Sequence, residues 1–285
     1  MDVNTFLGHR QSLATPSGEI ACTEFGEGPA ALFVHGFGKS GTLWRHVVED
    51  LSGTSRCIAP DLPAHGASPA RHDMSVAALA EALADLCDSL GLGEVDLVGN
   101  DTGGAIAQVF AARRPGKLRS LTLTDCDCEG NFPPPDFGPF IEQARQGGLA
   151  PLMAELAATP EETWPTNPLI NVGYQHPDRI PLDAWRDYMT GIAGTIERAR
   201  DCERLVASLD AADIEAVGAQ LRTLTVPTLL VWGTADTTFA VKWAYHLRDL
   251  IPGAGEVVEI DGANMFFPEE RPDDLVPHLH RHWGR

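Results

Sequence analysis

Short apolar runs recur along the chain, separated by stretches in which apolar residues return every third or fourth position. Ala31-Leu32-Phe33-Val34, Arg56-Cys57-Ile58-Ala59-Pro60, Val95-Asp96-Leu97-Val98, Leu118 to Thr124, Thr228-Leu229-Leu230-Val231-Trp232 and Glu256-Val257-Val258-Glu259-Ile260 have the length and composition of buried strands, and Glu19 to Glu24 is a further candidate. Between them, Val76, Leu79, Leu83, Leu86 and Leu90 trace one face of a helix that Ser75 can cap and Gly91 can end. Strands alternating with amphipathic helices predict an α/β fold, with a mostly parallel central sheet flanked by helices.

The pattern changes from Glu129 to about Leu221. Prolines punctuate helical pieces there, and no run suited to a buried strand occurs. This stretch is expected to be a helical cap (129–221) inserted over a core formed by 1–128 and 222–285. Trp164, Tyr174, Trp185 and Tyr188 are spread through it. They are candidates to touch a substrate, although packing of the cap on the core is their default use. Trp44, near the start of a helix, is likewise a candidate pocket residue whose default place is the core.

Composition narrows the partners. The 285 residues carry 40 acidic and 21 basic side chains, a net charge of -19, which argues against nucleic acid or an anionic membrane as a partner. Cys22, Cys57, Cys87, Cys126, Cys128 and Cys202 show no zinc or redox spacing and read as reduced thiols of a cytoplasmic protein. Met1 to Gly18 lacks a basic start followed by an apolar core, and no stretch approaches membrane-spanning length. The expectation is a monomer or homodimer that takes a small apolar molecule and uses no metal or organic cofactor.

Candidate chemistry centres on Gly99-Asn100-Asp101-Thr102-Gly103-Gly104, which follows the Val95 run and precedes a small-residue helix start. Strand, tight turn and helix in that order form an elbow in which Gly99 and Gly103 keep Cβ atoms out of the bend around Asp101. The alternative is an ordinary glycine-rich turn. A carboxylate at the apex needs no base to become a nucleophile, but it attacks well only an alkylating carbon, such as one in an epoxide or bearing a halide. His35-Gly36-Phe37-Gly38 follows the second strand run and can bring the Phe37 N–H beside the Thr102 N–H as an oxyanion hole. His35 itself is a candidate for the pocket or for bracing that loop. His65, among Pro and Gly beside Asp61, suits a structural hydrogen bond. Asp236 lies past the end of a strand, where an acid can reach the elbow, and Asp125 or Asp127 can do so from the end of another. Carboxylates sharing a dry pocket raise one another's pKa, so one of them can act as a general acid.

Taken together, the His35-to-Gly38 turn, the Asp61-to-Ser68 loop, the Gly99-to-Gly103 elbow, the proline-rich insertion, Trp232-Gly233-Thr234-Ala235-Asp236 and the Gly262-to-Pro272 segment resemble the α/β-hydrolase superfamily over nearly the whole chain. Aspartate at the elbow resembles its epoxide hydrolase and haloalkane dehalogenase branch. The resemblance implies that Asp101 forms an ester with substrate, that the Phe37 and Thr102 N–H groups hold the ester oxygen, and that Asp236 orients a histidine base. That histidine falls on Asn264, whose neutral amide cannot take a proton from water. Either the base has been removed, another residue serves, or the pocket carries out isomerisation, cyclisation, elimination or simple binding. Thr102 stands where many dehalogenases have a halide-binding Trp, so epoxide opening leads and dehalogenation is second. Tyr174 and Tyr188 are the cap tyrosines available to protonate an epoxide oxygen.

Overall fold

The computed structural model describes residues 1–159 and 172–285. Eight strands among these residues form one sheet: β1 (Arg10–Thr15), β2 (Gly18–Phe25), β3 (Ala30–Val34), β4 (Arg56–Pro60), β5 (Val95–Asp101), β6 (Leu118–Cys126), β7 (Thr228–Gly233) and β8 (Ala254–Ile260). Their order is β1-β2-β4-β3-β5-β6-β7-β8. β1 and β2 pair antiparallel, as do β2 and β4, and every later pairing is parallel. The expected mostly parallel sheet is therefore present. β5, at its centre, is buried at every position, because helices cover both faces of a parallel sheet.

The helix Val76–Ser89 starts where Ser75 accepts a hydrogen bond from the Ala78 N–H at 3.2 Å. Past its end, Gly91 has φ +66°. A strand absent from the sequence reading is β1. It is an edge strand, half-buried at Arg10, Leu13 and Thr15 and exposed at the rest, so its residues carry no apolar run.

Between β6 and β7 the described residues form only helices, among them Gly138–Arg145, Leu149–Ala158, Leu182–Ala193 and Ile196–Ser208. We call this segment the cap. Its helix Leu182–Ala193 is tied to the sheet through Asp187, which accepts two hydrogen bonds from Arg10 of β1, at 2.9 and 3.0 Å, and one from the Thr42 hydroxyl at 2.8 Å. The Arg10 Nε also lies 3.1 Å from the Asp61 carboxylate. All six cysteines are buried and free. No helix among the described residues is long and apolar enough to cross a membrane.

Candidate active site

β5 ends at Asp101 with φ 54° and ψ −133°, and the helix Thr102–Arg113 begins at the next residue. Positive φ at a residue with a Cβ costs on the order of 1–3 kcal/mol and persists only where the surroundings enforce it. Here the crowding is explicit. A Cβ on Gly103 would stand 2.4 Å from the His35 carbonyl oxygen and 2.5 Å from that of Val34, and one on Gly36 would strike the Asp101 side chain. The bend closes only because both positions lack a side chain. It aims the helix N-terminus, with its partial positive charge, at the carboxylate.

The Phe37 N–H donates to Asp101 Oδ2 at 2.9 Å. Burial pushes the Asp101 pKa up to about 7, opposed by the charge of Lys39 and by the N–H groups of Phe37 and Thr102, while Asp236 adds to the rise. Both N–H groups assigned to an oxyanion hole thus act on this one carboxylate. The side chain lines a cavity of about 250 Å³ whose walls include Phe132, Phe137, Phe140, Ile192, Phe239 and Phe266. Lys39, Thr102, Asp127, Asp136, Thr237 and Thr238 supply its polar groups. A larger cleft of about 480 Å³, lined by Arg45, His46, His176 and Arg179, does not include Asp101. The smaller cavity is the candidate site because it holds the elbow.

The chain belongs to the α/β-hydrolase fold family. The family model described as alpha/beta hydrolase fold matches residues 29–271. An uncharacterized protein of Mycobacterium tuberculosis is 41% identical over 266 residues, covering 85% of this chain and 71% of that protein. Haloalkane dehalogenase 2 of Mycobacterium bovis is 26% identical over 274 residues, covering 94% of this chain and 92% of the relative. Among solved structures, the epoxide hydrolase CorEH superposes with a TM-score of 0.79 at 19% identity, covering 96% of this chain and 98% of the other. At that identity the likeness is one of fold.

Within this hydrolase fold the acid expected after β7 is buried. Asp236 Oδ1 accepts from the Thr238 and Phe239 N–H groups at 2.7 and 2.9 Å, and its carboxyl also faces that of the buried Asp125. Asn264 does not meet it. The Asn264 Oδ1 accepts from the N–H of Met265 at 2.9 Å, and no hydrogen bond joins Asn264 to Asp236 or Asp101 among the described residues. The position that the resemblance assigns to the base therefore carries neither a base nor a link to the acid.

Several candidate pocket residues sit elsewhere. His35 is fully buried behind the oxyanion loop, where its Nε2 accepts from the Leu62 N–H at 2.9 Å. Burial, then the neighbouring His65, holds its pKa well below the ordinary value, so it braces the loop as a neutral ring. His65 does the same from the other side, accepting from the Gly38 N–H at 3.2 Å, with burial lowering its pKa to about 4. Trp44 is fully buried, with its ring 5.5 Å from that of Phe33. Trp185 is fully buried in the helix Leu182–Ala193 and is not part of the cavity wall. Both Trp residues serve the core because large flat rings fill interior volume best. Trp164 lies outside the described residues.

Asp125 also needs correction as a pocket residue. Its two carboxylate oxygens accept from the Gly233 N–H at 3.0 and 3.1 Å, tying β6 to β7, and it does not line the cavity. Asp127 does line it, 1% exposed, with Oδ1 lacking any partner among the described residues. Burial, then the charge of Asp101, raises the Asp127 pKa well above the carboxylate range. Burial thus pushes both carboxyls of the site toward their protonated forms, Asp127 further by the charge of Asp101.

Tyr174 and Tyr188 are buried, but their hydroxyls donate to the two oxygens of Glu269, at 2.5 and 3.0 Å. Glu269 also pairs with the buried Arg45. With those protons committed, the two rings face Lys39, whose Nζ lies 4.8 Å from the Tyr174 centroid, 5.2 Å from Tyr188 and 4.3 Å from Phe266. Lys39 is 2% exposed, and burial lowers its pKa to about 8 against the opposing charges of Glu269 and Asp101. Sequence reading passed over this lysine. The signal for it was a long cationic side chain directly after His35-Gly36-Phe37-Gly38, a turn whose neighbours are otherwise small or apolar.

Proposed function

We propose that the chain opens an epoxide on a small or medium apolar substrate, with Asp101 as nucleophile and an alkyl-enzyme ester as intermediate. The observation that carries this reading is the Asp101 carboxylate at a strained elbow, with Oδ2 on the Phe37 N–H, inside a mostly apolar cavity that also holds Asp127, whose burial favours its protonated form. A carboxylate oxygen of Asp101 attacks an epoxide carbon, and the carbon–oxygen bond of the ring breaks. The freed oxygen takes the proton of Asp127, and the Phe37 and Thr102 N–H groups hold the carbonyl oxygen of the new ester. Tyr174 and Tyr188 donate their hydroxyl hydrogen bonds to Glu269, which leaves the acid role to Asp127.

The relative named haloalkane dehalogenase supports alkyl-ester chemistry and makes dehalogenation the second reading. It ranks lower because Thr102 follows the nucleophile and the described cavity wall includes no Trp to donate an N–H to a halide. A departing halide also needs no proton, whereas Asp127 offers one. Asn264 favours a third reading, in which the same carboxylates serve an isomerase, cyclase, lyase or ligand-binding protein.

Intact mass spectrometry with peptide mapping, after incubation with a panel of epoxides and haloalkanes, tests the proposal alongside product analysis. The expected result is conversion of an epoxide to its diol, or a mass gain on Asp101, with both abolished in Asp101→Asn. Conversion that survives Asp101→Asn, or neither conversion nor adduct across the panel, would overturn it.

A further inference from the structure

We propose that Lys39 is the base that hydrolyses the Asp101 ester, filling from the oxyanion loop the role that Asn264 cannot perform; this rests on the ester reading above.

Four observations converge on this lysine. It lines the same 250 Å³ cavity as Asp101 and Asp127. It stands two residues after Phe37, whose N–H holds the Asp101 carboxylate, so the loop that fixes the ester oxygen also fixes the lysine. Its Nζ lies 4.3 Å from the ring of Phe266, two residues beyond Asn264, so the amine borders the segment from which the base is missing. Finally, Nζ has no hydrogen bond or ion pair within 4.0 Å to any described residue, although the side chain is 2% exposed.

The groups around it set its protonation. Asp101 at the end of β5 and Glu269 on Phe267–Glu270 both favour the ammonium. Glu269 is already engaged by Arg45, Tyr174 and Tyr188, while burial and the charge of Asp101 favour the neutral form of Asp127. The Tyr174, Tyr188 and Phe266 ring faces also favour the cation. Ester formation changes two members of this set: Asp101 becomes a neutral ester, and Asp127, having protonated the epoxide oxygen, becomes a carboxylate. The Asp127 carboxylate then takes a proton from the Lys39 ammonium within the cavity that both line, leaving a neutral amine and a neutral acid. The first half-reaction thus prepares the base for the second, because the proton spent on the epoxide oxygen leaves Asp127 able to accept one.

The protons and bonds then balance. Neutral Lys39 Nζ takes a proton from water as the water oxygen bonds to the ester carbonyl carbon. The bond between that carbon and the product oxygen breaks, and the departing alkoxide takes a proton from the Lys39 ammonium. The regenerated Asp101 carboxyl passes its proton to the Lys39 amine, restoring the resting carboxylate and ammonium, Asp127 having recovered its proton from Lys39 before the hydrolysis. The net change is one water added across the epoxide.

Lys39→Met removes the base and keeps a flexible apolar side chain for the ring cage. Lys39→Arg keeps a positive charge but cannot release its proton near neutral pH. Both variants and the native chain are given the same epoxide panel, with formation and decay of the Asp101 adduct followed separately by intact mass. The expected result is turnover without lasting adduct in the native chain, and a stable adduct in both variants, its decay slowed about 10²–10⁴-fold. In the native chain, ester decay is expected to rise with pH to a plateau with a midpoint at or below about 8; in Lys39→Arg that rise is lost. An adduct in Lys39→Arg that decays at the native rate, or a lasting adduct in the native chain, would overturn the role of Lys39 while leaving Asp101 as nucleophile. Absence of both adduct and turnover from all three proteins would overturn the Asp101 reading and this inference with it.

Discussion

Replacing Asp127 with Asn separates acid catalysis from nucleophilic attack. Asp127 is 1% exposed and lines the cavity beside Asp101, with one carboxyl oxygen unpartnered among the described residues. Asn keeps the shape and removes the transferable proton. A positioned general acid contributes about 10²–10⁴-fold, which is about 2.7–5.4 kcal/mol of barrier. Epoxide opening by Asp127→Asn is expected to slow by that factor. Alkylation by a haloalkane or an alkyl sulfonate, whose leaving groups need no proton, is expected to change only a few-fold. The pH profile gives a second check. Asp101 attacks as the carboxylate, so alkylation rises with pH through about 7. Asp127 must hold its proton, so epoxide opening falls again on the alkaline side, where its raised pKa is reached. Asp127→Asn takes away the acid that must hold its proton, so the substitution should remove the alkaline fall. The assay is the stopped-flow or quenched rate of ester formation with both substrate types across pH. Equal slowing of epoxide and haloalkane, or no slowing of either, would refute the assignment of Asp127 as the acid.

Gly103→Ala places a methyl 2.4–2.5 Å from two backbone oxygens that cannot swing aside, so urea denaturation should show a loss of about 1–3 kcal/mol together with loss of activity. Glu269→Gln leaves the buried Arg45 without its counter-charge, and the same measurement should show a loss of about 3–5 kcal/mol; a loss below 1 kcal/mol would mean that the pair contributes little. In a Lys39→Met background, Asn264→His should speed decay of the Asp101 ester, because an imidazole supplies the base that the Asn264 amide cannot. Unchanged decay in the intact-mass assay would mean that the loop no longer delivers a side chain to the site.

The central strands were plain in the sequence because β3, β5 and β7 are covered on both faces, and such strands must be apolar almost throughout. β1 was hidden for the converse reason, since a half-exposed edge strand needs no such run. Asp101 and the Phe37 N–H were visible because glycines mark the bends that bring them together. The choice of Asp125 over Asp127 failed at a local irregularity. Pairing of β5 with β6 jumps from Asn100–Thr124 to Asp101–Cys126, with Asp125 at φ 30°, and no residue pattern marks that shift. The acceptor that Tyr174 and Tyr188 share, Glu269, was not legible because it lies 95 and 81 residues away in sequence. Lys39 was passed over because lysine is normally a surface residue, and only the folded loop and the three rings enclose it.

The tie from Arg10 to Asp187 gives the outermost strand a second office. An edge strand is ordinarily the most dispensable piece of a sheet, yet β1 carries the guanidinium that grips a cap helix by two hydrogen bonds while leaning on Asp61 in the core. β1 is thus a latch as well as a border. A protein shorn of it would lose this guanidinium grip along with the edge of its sheet, leaving Asp187 to be held from the core by Ser40 and Thr42.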